Sequence, residues 1–278
     1  MTRKPGIAGR SYTALIMFFL YAPIFILITF SFNSTRSRSV WTGFTFDWYR
    51  SLLENSSILN AFYTTLIIAF LSAIFATIAG TFAAVGFFNM RKKWRTPLLH
   101  INNIPMMNAD IATGVSLTLL FISLGSVLRF SLGFGTLLLA HIIFNIPYVV
   151  LSIMPKLRQL DTNLVDAACD LGCTWMKAFG KVIIPEIRPG IINGLIIAFT
   201  LSIDDFVISY FTSGGNVMTL PMQIFAMTRR RVSPEINALS TILFLSVLTL
   251  LIVINIREAR QGEKLKRSLT NKPTPSGA

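Results

Sequence analysis

Charged residues are scarce in this chain of 278 amino acids, of which only 13% are Asp, Glu, Lys or Arg. A soluble domain usually has about 25%, so the composition argues against one. Apolar residues take the place of charge, since 53% of the chain is hydrophobic and the mean hydropathy is +0.63. This balance is typical of a protein that crosses a membrane several times.

Cysteine and histidine are almost absent, with two of each. Cys169 and Cys173 have no further Cys or His nearby, which argues against a zinc site and leaves them as packing residues. His141 lies in an apolar run, and we interpret it as a packing residue as well. The sequence also lacks a Gly-rich phosphate-binding loop followed by Lys-Ser or Lys-Thr, and a Ser-His-Asp group. We therefore expect no catalytic residue, metal site or cofactor in this chain.

Six hydrophobic runs are close to the length of about 20 residues that crosses a bilayer. They cover residues 12–32, 61–87, 98–124, 134–155, 189–212 and 237–256. We predict an all-α polytopic membrane protein with six transmembrane helices. We divide the chain into an N-terminal segment with the first helix and an outer loop (1–57), a core of five helices (58–257) and a partly disordered tail (258–278).

Basic residues are concentrated at the two termini and in alternate loops, which together contain 18 of the 25 Lys and Arg. The positive-inside rule places both termini and the 157–188 loop in the cytoplasm. The net charge of +13 therefore reflects membrane topology rather than binding of nucleic acid. Arg229, Arg230 and Arg231, in a predicted outer segment, are the exception to this pattern.

The 157–188 loop contains the most specific pattern in the chain. An Asp-Ala-Ala triplet is followed after three residues by glycine, and after nine more by Val-x-Ile-Pro. The residues concerned are Asp166, Ala167, Ala168, Gly172 and Pro185. We expect a short helix, a tight turn at positive φ at Gly172, and a second helix that ends at Pro185 and Pro189. The pattern resembles the "EAA" loop of ABC importer permeases, which in that family docks on a cytoplasmic ATPase.

Three acidic residues lie inside predicted spans, where charge is costly and usually functional. Asp110 and the Asp204–Asp205 pair lie at similar distances from the cytoplasmic ends of their spans, about 18 and 22 Å at 1.5 Å per residue. In an unbroken fifth helix, Asp205 shares a polar stripe with Ser209, whereas Asp204 lies on an apolar stripe. We expect Asp110, Asp205 and Ser209 to line a passage for cations, with Asp204 at its edge. Carboxylates that cap broken helices or bridge subunits remain an alternative.

Aromatic residues are frequent in the outer loop after the first span, and they include Trp41, Trp48 and Tyr49. One interpretation is an interfacial belt that anchors the spans. The other is an entrance that contacts a cationic cargo or its carrier. Both interpretations stay open.

Several separate motifs resemble the spermidine/putrescine permeases of ABC importers. They are Tyr21-Ala-Pro-Ile, Ser31-Phe-Asn-Ser, Trp41-Thr-Gly-Phe-Thr, Phe199-Thr-Leu-Ser-Ile-Asp-Asp205 and Val232-Ser-Pro-Glu-Ile-Asn-Ala-Leu239. The resemblance implies a type I ABC importer permease fold, transport of polyamines by alternating access, and Glu235 as a further pathway residue. That family commonly has Pro-Asp where this chain has Ala109-Asp110, so a helix break at this point is in doubt.

The same resemblance implies a set of partners in a bacterial cytoplasmic membrane. They are a second homologous permease that completes a heterodimer, a homodimer of ATPase subunits that binds ATP and Mg, and an extracytoplasmic polyamine-binding protein. Two alternatives remain. One is an ABC permease for thiamine, iron or an opine-like amino acid. The other is an ion-coupled secondary transporter, against which speak the coupling loop and the lack of a visible inverted repeat.

Overall fold

The computed structural model describes residues 7–35, 40–108, 110–230, 235–249 and 252, and these residues are mainly helical. The helices are α1 (Ile7–Phe30), α2 (Asp47–Glu54), α3 (Ser56–Asn89), α4 (Lys92–Met107), α5 (Asp110–Leu128), α6 (Phe134–Gln159), α7 (Thr162–Asp170), α8 (Trp175–Ala178), α9 (Ile184–Asp204), α10 (Val207–Thr212), α11 (Leu220–Arg230) and α12 (Glu235–Thr249). A π-helical segment, Phe179–Ile183, joins α8 to α9. Within this part of the chain, β-structure is limited to one isolated antiparallel bridge between Asn33 and Phe44.

Five described helical segments are long and apolar enough to cross a membrane. They are Ser11–Phe30, Ser56–Asn89, Asp110–Leu128, Phe134–Gln159 and Trp175–Asp204, and they overlap the first five predicted spans in order. The sixth predicted span, 237–256, is described as helical through Thr249. Beyond Thr249 the structure describes one more residue of this span, 252. The described residues do not include the rest of the span, residues 109 and 231–234, or the predicted tail 258–278.

Two predicted spans are interrupted. The sequence leaves the break in the third span open, whereas the prediction of one continuous helix for the fifth span is wrong. The run at 98–124 divides between α4 and α5, and Asn108 has extended backbone with ψ 153°. Pro97 and Pro105 remove two amide donors from α4, which weakens its hydrogen-bond ladder. The run at 189–212 stops at Asp204 and resumes in α10, because the Asp205 side chain bonds the amides that an unbroken helix would use.

The chain divides into two compact units. The flanking unit comprises residues 1–54 and 227–278, and the core unit comprises residues 55–226. In the core unit, α3, α6 and α9 pack against one another, and α10 contacts both α5 and α6.

Small residues allow close approach of α3, α6 and α9. A stripe of buried small side chains runs along α3, formed by Ala69, Ala73, Ala76, Gly80 and Ala84. An added Cβ at Gly80 would lie 2.7 Å from Cγ1 of Val149, and one at Gly194 would lie 3.2 Å from the same atom. Membrane helices associate mainly by such packing, since lipid is as apolar as their side chains.

We expect Gly80→Ala to destabilise the protein by about 1–3 kcal/mol, because the new methyl group overlaps Val149 and forces the helices apart. Gly86→Ala is the matched control, since an added Cβ there meets nothing within 4 Å. This control should unfold at the wild-type temperature or slightly above it, because Ala favours a helix more than Gly does. Thermal unfolding in detergent checks the pair, and equal melting temperatures would contradict the prediction.

Candidate functional site

The interruption between α9 and α10 is organised around the carboxylate of Asp205. Its Oδ2 accepts a hydrogen bond from the Ser209 amide at 2.8 Å, and its Oδ1 accepts one from the Ile208 amide at 3.3 Å. The Ser209 hydroxyl donates to Oδ2 at 2.9 Å. The negative charge thus lies at the start of α10, where the peptide dipoles favour an anion. It also provides acceptors for amides that lipid cannot satisfy.

The other end of α10 is bonded by two threonine side chains. The Thr118 hydroxyl of α5 shares its proton between the Phe211 carbonyl at 2.9 Å and the Gly114 carbonyl at 2.9 Å. The Thr136 hydroxyl of α6 shares its proton between the Thr212 carbonyl at 2.8 Å and the Gly133 carbonyl at 2.9 Å. The last carbonyls of this six-residue helix therefore have partners on two neighbouring helices. Both ends of α10 are fixed by side chains.

His141 of α6 approaches the same carboxylate from the opposite side. Its side chain is 1% exposed, and its Nε2 lies 3.0 Å from Ser209 Oγ and 3.5 Å from Asp205 Oδ2. A serine hydroxyl has a single proton, which Ser209 gives to the carboxylate, so Nε2 must donate to Ser209. The sequence interpretation of His141 as a packing residue missed this contact, because the partners lie on separate helices.

A second group of hydrogen-bonded polar side chains lies one turn further along α6. Asn145 Nδ2 donates to Ser202 Oγ at 2.7 Å, and the Ser202 hydroxyl lies 3.0 Å from that of Ser72 on α3. All three residues are buried. These hydrogen bonds join α3, α6 and α9 immediately before the interruption.

The two other aspartates of the core unit's predicted pathway are exposed. Asp204 is the last residue of α9, and Asp110 is the first residue of α5. An added Cβ at Gly114 would lie 3.6 Å from the Ile208 Cα. Four residues later on α5, the Thr118 hydroxyl bonds the carbonyl of Phe211, which is three residues later on α10. The two helices α5 and α10 therefore run parallel. Asp110 lies one turn before Gly114 on α5, whereas Asp204 is separated from Ile208 by the interruption. One exposed carboxylate thus lies at the start of α5 and the other at the end of α9.

This arrangement differs from the one expected for an unbroken fifth helix. The polar stripe that was expected to place Asp205 along a passage ends at the interruption. The Asp205 side chain is only 9% exposed. Asp204, expected at the edge, is the exposed member of the pair. Ser209 is fully buried and bonds Asp205.

A cluster of aromatic rings that the sequence pattern did not single out begins directly after the Asp204–Asp205 pair. The Phe206 ring centroid is 5.5 Å from that of Tyr210 and 4.5 Å from that of Phe225. Tyr148 of α6 is near enough to Asp110 for an electrostatic interaction. Aromatic faces are suited to contact with an organic cation. The four-residue spacing of Phe206 and Tyr210, directly after the Asp pair, was the available sequence signal.

The polar side-chain atoms of Trp48 and Tyr49 form hydrogen bonds within the flanking unit. Trp48 Nε1 donates to the Asn33 carbonyl at 2.7 Å, and the Tyr49 hydroxyl lies 2.7 Å from Ser31 Oγ. Both side chains therefore stabilise the segment that follows α1. Their part in transport stays a prediction.

Trp41 and Glu235 also belong to the flanking unit. Trp41 is 47% exposed, and its ring meets that of Phe30 edge to face at 6.5 Å. Glu235, the first residue of α12, accepts a hydrogen bond from the Ser51 hydroxyl at 3.2 Å. Of the two tryptophans in the outer loop, Trp41 is thus the one whose ring is exposed for a further contact.

The loop after α6 contains the predicted tight turn. Gly172 has φ +84°, which confirms the expected positive value. Its amide donates to the Cys169 carbonyl at 2.9 Å, and the Cys173 amide donates to the Ala168 carbonyl at 3.0 Å. These two bonds form a Schellman motif, which ends α7 and reverses the chain. Asp166, on the preceding helix, is exposed.

The second loop helix does not stop at the prolines, so that part of the prediction is wrong. The chain passes from α8 through the π segment into α9, with the Ile184 amide bonded to the Phe179 carbonyl five residues earlier. In a regular α-helix the ring of Pro185 would clash with the carbonyl four residues before it. The wider π turn removes this clash, and the helix continues through Pro189.

Apolar side chains are exposed along this loop. Leu171 is 88% exposed and Met176 is 69% exposed. Trp175 stacks on Phe179 at 5.6 Å, and Phe179 stacks on Phe82 of α3 at 6.0 Å. An exposed apolar surface is typical of a protein interface, and the aromatic stack connects this one to the helix core.

Known proteins similar to this chain are membrane subunits of transport systems. The spermidine/putrescine transport system permease protein PotC of Escherichia coli strain K12 is 40% identical over 243 residues, 87% of this chain and 90% of that protein. The putrescine transport system permease protein PotI of the same strain is 41% identical over 228 residues, 81% of each chain.

A solved structure and a family model complete the comparison. One chain of a bacterial ABC transporter involved in the import of the acidic polysaccharide alginate has a TM-score of 0.68 and 16% identity, covering 89% of this chain and 93% of that chain. The shared fold is that of type I ABC importer permeases. Residues 76–266, more than half of the chain, match the model described as binding-protein-dependent transport system inner membrane component. The chain belongs to this family of multi-pass inner membrane transport components.

Proposed function

We propose that the chain is one of two permease subunits of an ABC importer that moves the polyamines spermidine and putrescine into the cell by alternating access. The identities of 40% and 41% to permeases named for these amines support the cargo. The structural observation that carries the proposal is the pair of exposed carboxylates, Asp110 at the start of α5 and Asp204 at the end of α9.

The charge balance around these carboxylates suits a cargo with two or more ammonium groups. Between residues 96 and 155 the one Lys or Arg is Arg129, and residues 189–228 contain none. At an effective dielectric of 20, an ion pair at 4 Å is worth about 4 kcal/mol before desolvation. This attraction offsets part of the cost of removing an ammonium group from water, whereas an anionic cargo would be repelled.

In this proposal Asp110 and Asp204 contact the ammonium groups, and Phe206 and Tyr210 flank the methylene chain. Asp205 and Ser209 hold the helix interruption behind them. Trp41, Trp48, Tyr49 and Glu235 belong to the outer entrance.

One chain supplies half of the pathway, and a second, homologous permease supplies the other half. A homodimer of separate ATPase subunits binds ATP and Mg and docks on the loop formed by α7 and α8, which includes Asp166, Ala167, Ala168 and Gly172. An extracytoplasmic polyamine-binding protein delivers the cargo. Both termini lie in the cytoplasm, because Lys and Arg are concentrated there and in the coupling loop.

The direct test is purification of the chain with the ATPase, the second permease and the binding protein encoded beside it, followed by reconstitution in lipid. We expect spermidine or putrescine to stimulate ATP hydrolysis and to accumulate in the vesicles. Stimulation by thiamine, ferric iron or an opine, without a response to either polyamine, would reject the cargo. Uptake that requires an ion gradient but no ATP would reject the ABC mechanism.

We expect Asp110→Asn and Asp204→Asn each to lower polyamine uptake about tenfold or more, since a loss of 1.4 kcal/mol is tenfold. Both side chains are exposed, so the yield of assembled complex should stay at the wild-type level. Asp47→Asn, another exposed aspartate at a helix start but in the flanking unit, is the matched control. Full uptake by both core-unit variants would show that these carboxylates do not bind the cargo.

We expect Gly172→Ala to weaken docking of the ATPase, because a side chain at φ +84° costs about 1–2 kcal/mol and shifts the turn. Gly180→Ala is the control, since an added Cβ there meets nothing within 4 Å and its φ is not in the left-handed region. The readout is the amount of ATPase that co-purifies with each variant from membranes, together with uptake. A wild-type ratio for Gly172→Ala with normal uptake would contradict the prediction.

We expect the two outer tryptophans to respond differently to substitution. Trp48→Phe removes the hydrogen bond to the Asn33 carbonyl and should lower stability by about 1 kcal/mol. Trp41→Ala should lower binding-protein-dependent uptake while basal ATP hydrolysis persists. Unchanged uptake by Trp41→Ala would assign this ring to the interfacial belt.

A further inference from the structure

His141 is a buried imidazole in the core unit for which the proposed pathway provides no task. It is 1% exposed, and its Nε2 bonds the Ser209 hydroxyl and lies 3.5 Å from Asp205 Oδ2. Its Nδ1 has no hydrogen-bond partner among the described residues. Burying a polar ring that is only half satisfied is unfavourable. A leucine at this position would avoid the cost, which points to a task for Nε2.

The contacts of Asp205 show what that task is. The Ile208 amide, the Ser209 amide and the Ser209 hydroxyl all come from α10 itself, three and four residues further along the chain. These donors stay with the carboxylate wherever α10 moves. Among the described contacts of Asp205, the imidazole is the partner that comes from a different helix. It therefore fixes the interruption relative to α6.

A second contact from α6 reaches the chain on the other side of the interruption. Asn145, one turn after His141, donates to Ser202 at 2.7 Å, three residues before Asp205. Side chains four residues apart lie on the same face of a helix. One face of α6 thus binds both the end of α9 and the start of α10.

We propose that His141 is a positioning residue for transport, which holds the Asp205 carboxylate against α6 and thereby directs the Asp204 carboxylate toward the cargo. Asp205 directly follows Asp204, so a contact that fixes the Asp205 side chain also limits the orientation of its neighbour. The Asp205 side chain is 9% exposed and bonded inside the core unit, whereas Asp204 is exposed. This role rests on the proposed assignment of Asp204 to the polyamine pathway.

The test uses the reconstituted four-component complex and measures KM and kcat for putrescine and spermidine uptake. His141→Leu keeps a similar volume but removes Nε2, and we expect its KM to rise about tenfold with little change in kcat. His141→Gln keeps an N–H donor on a side chain of similar reach, and it should return KM to within about threefold of wild type. Ser152→Ala is the control, since it removes a different α6–α9 hydrogen bond, to the Gly190 carbonyl at 2.9 Å, and should leave KM unchanged.

The outcomes separate this role from the proposed function. If Asp204→Asn raises KM while an assembled His141→Leu complex keeps the wild-type KM, the positioning role is wrong and the pathway stands. Equal KM values for the Leu and Gln variants also overturn it, as does a loss of complex yield with unchanged KM. If Asp204→Asn leaves KM unchanged, the pathway assignment itself fails, and the positioning role with it.

A second variant covers a failure of His141→Leu to assemble. Ser209→Ala removes the hydroxyl between the imidazole and the carboxylate and leaves α6 intact. A raised KM in this variant supports the positioning role. A wild-type KM overturns it.

Discussion

A helix that stops inside a membrane leaves amide and carbonyl groups that water cannot reach, and each of them needs a partner within the protein. Here the interruption after Asp204 meets this requirement with side chains. Asp205 accepts the first amides of α10, while Thr118 and Thr136 donate to its last carbonyls. The relative positions of α5, α6 and α10 follow from these bonds.

The same helix, α9, connects the two regions to which we assign a function. It begins at the π segment beside the coupling loop and ends at Asp204. Its 21 residues span about 30 Å at 1.5 Å per residue. The stack of Trp175, Phe179 and Phe82 joins the loop end of this helix to α3. In the proposed mechanism, a displacement of the loop would reach the Asp204 end through this one helix.

Local pattern was enough to predict part of this structure. Hydrophobic length located most spans, and the spacing around Gly172 predicted its turn and positive φ, because both depend on residues close in sequence. The helix interruption at Asp205 was not predictable in the same way, since an aspartate within an apolar run is also compatible with one face of a continuous helix. Its true environment requires His141 from another helix. The π turn before Pro185 likewise depends on tertiary packing, which overrides the tendency of proline to end a helix.

Val149 is the point at which α3, α6 and α9 share one contact. Gly80 approaches its side chain from α3, and Gly194 approaches it from α9. A larger residue at 149 has no space on either side, and a smaller one leaves a void that two helices border. The side-chain volumes at these three positions are therefore linked. A substitution that changes one of them calls for a compensating change at the others, although the three residues are far apart in the sequence.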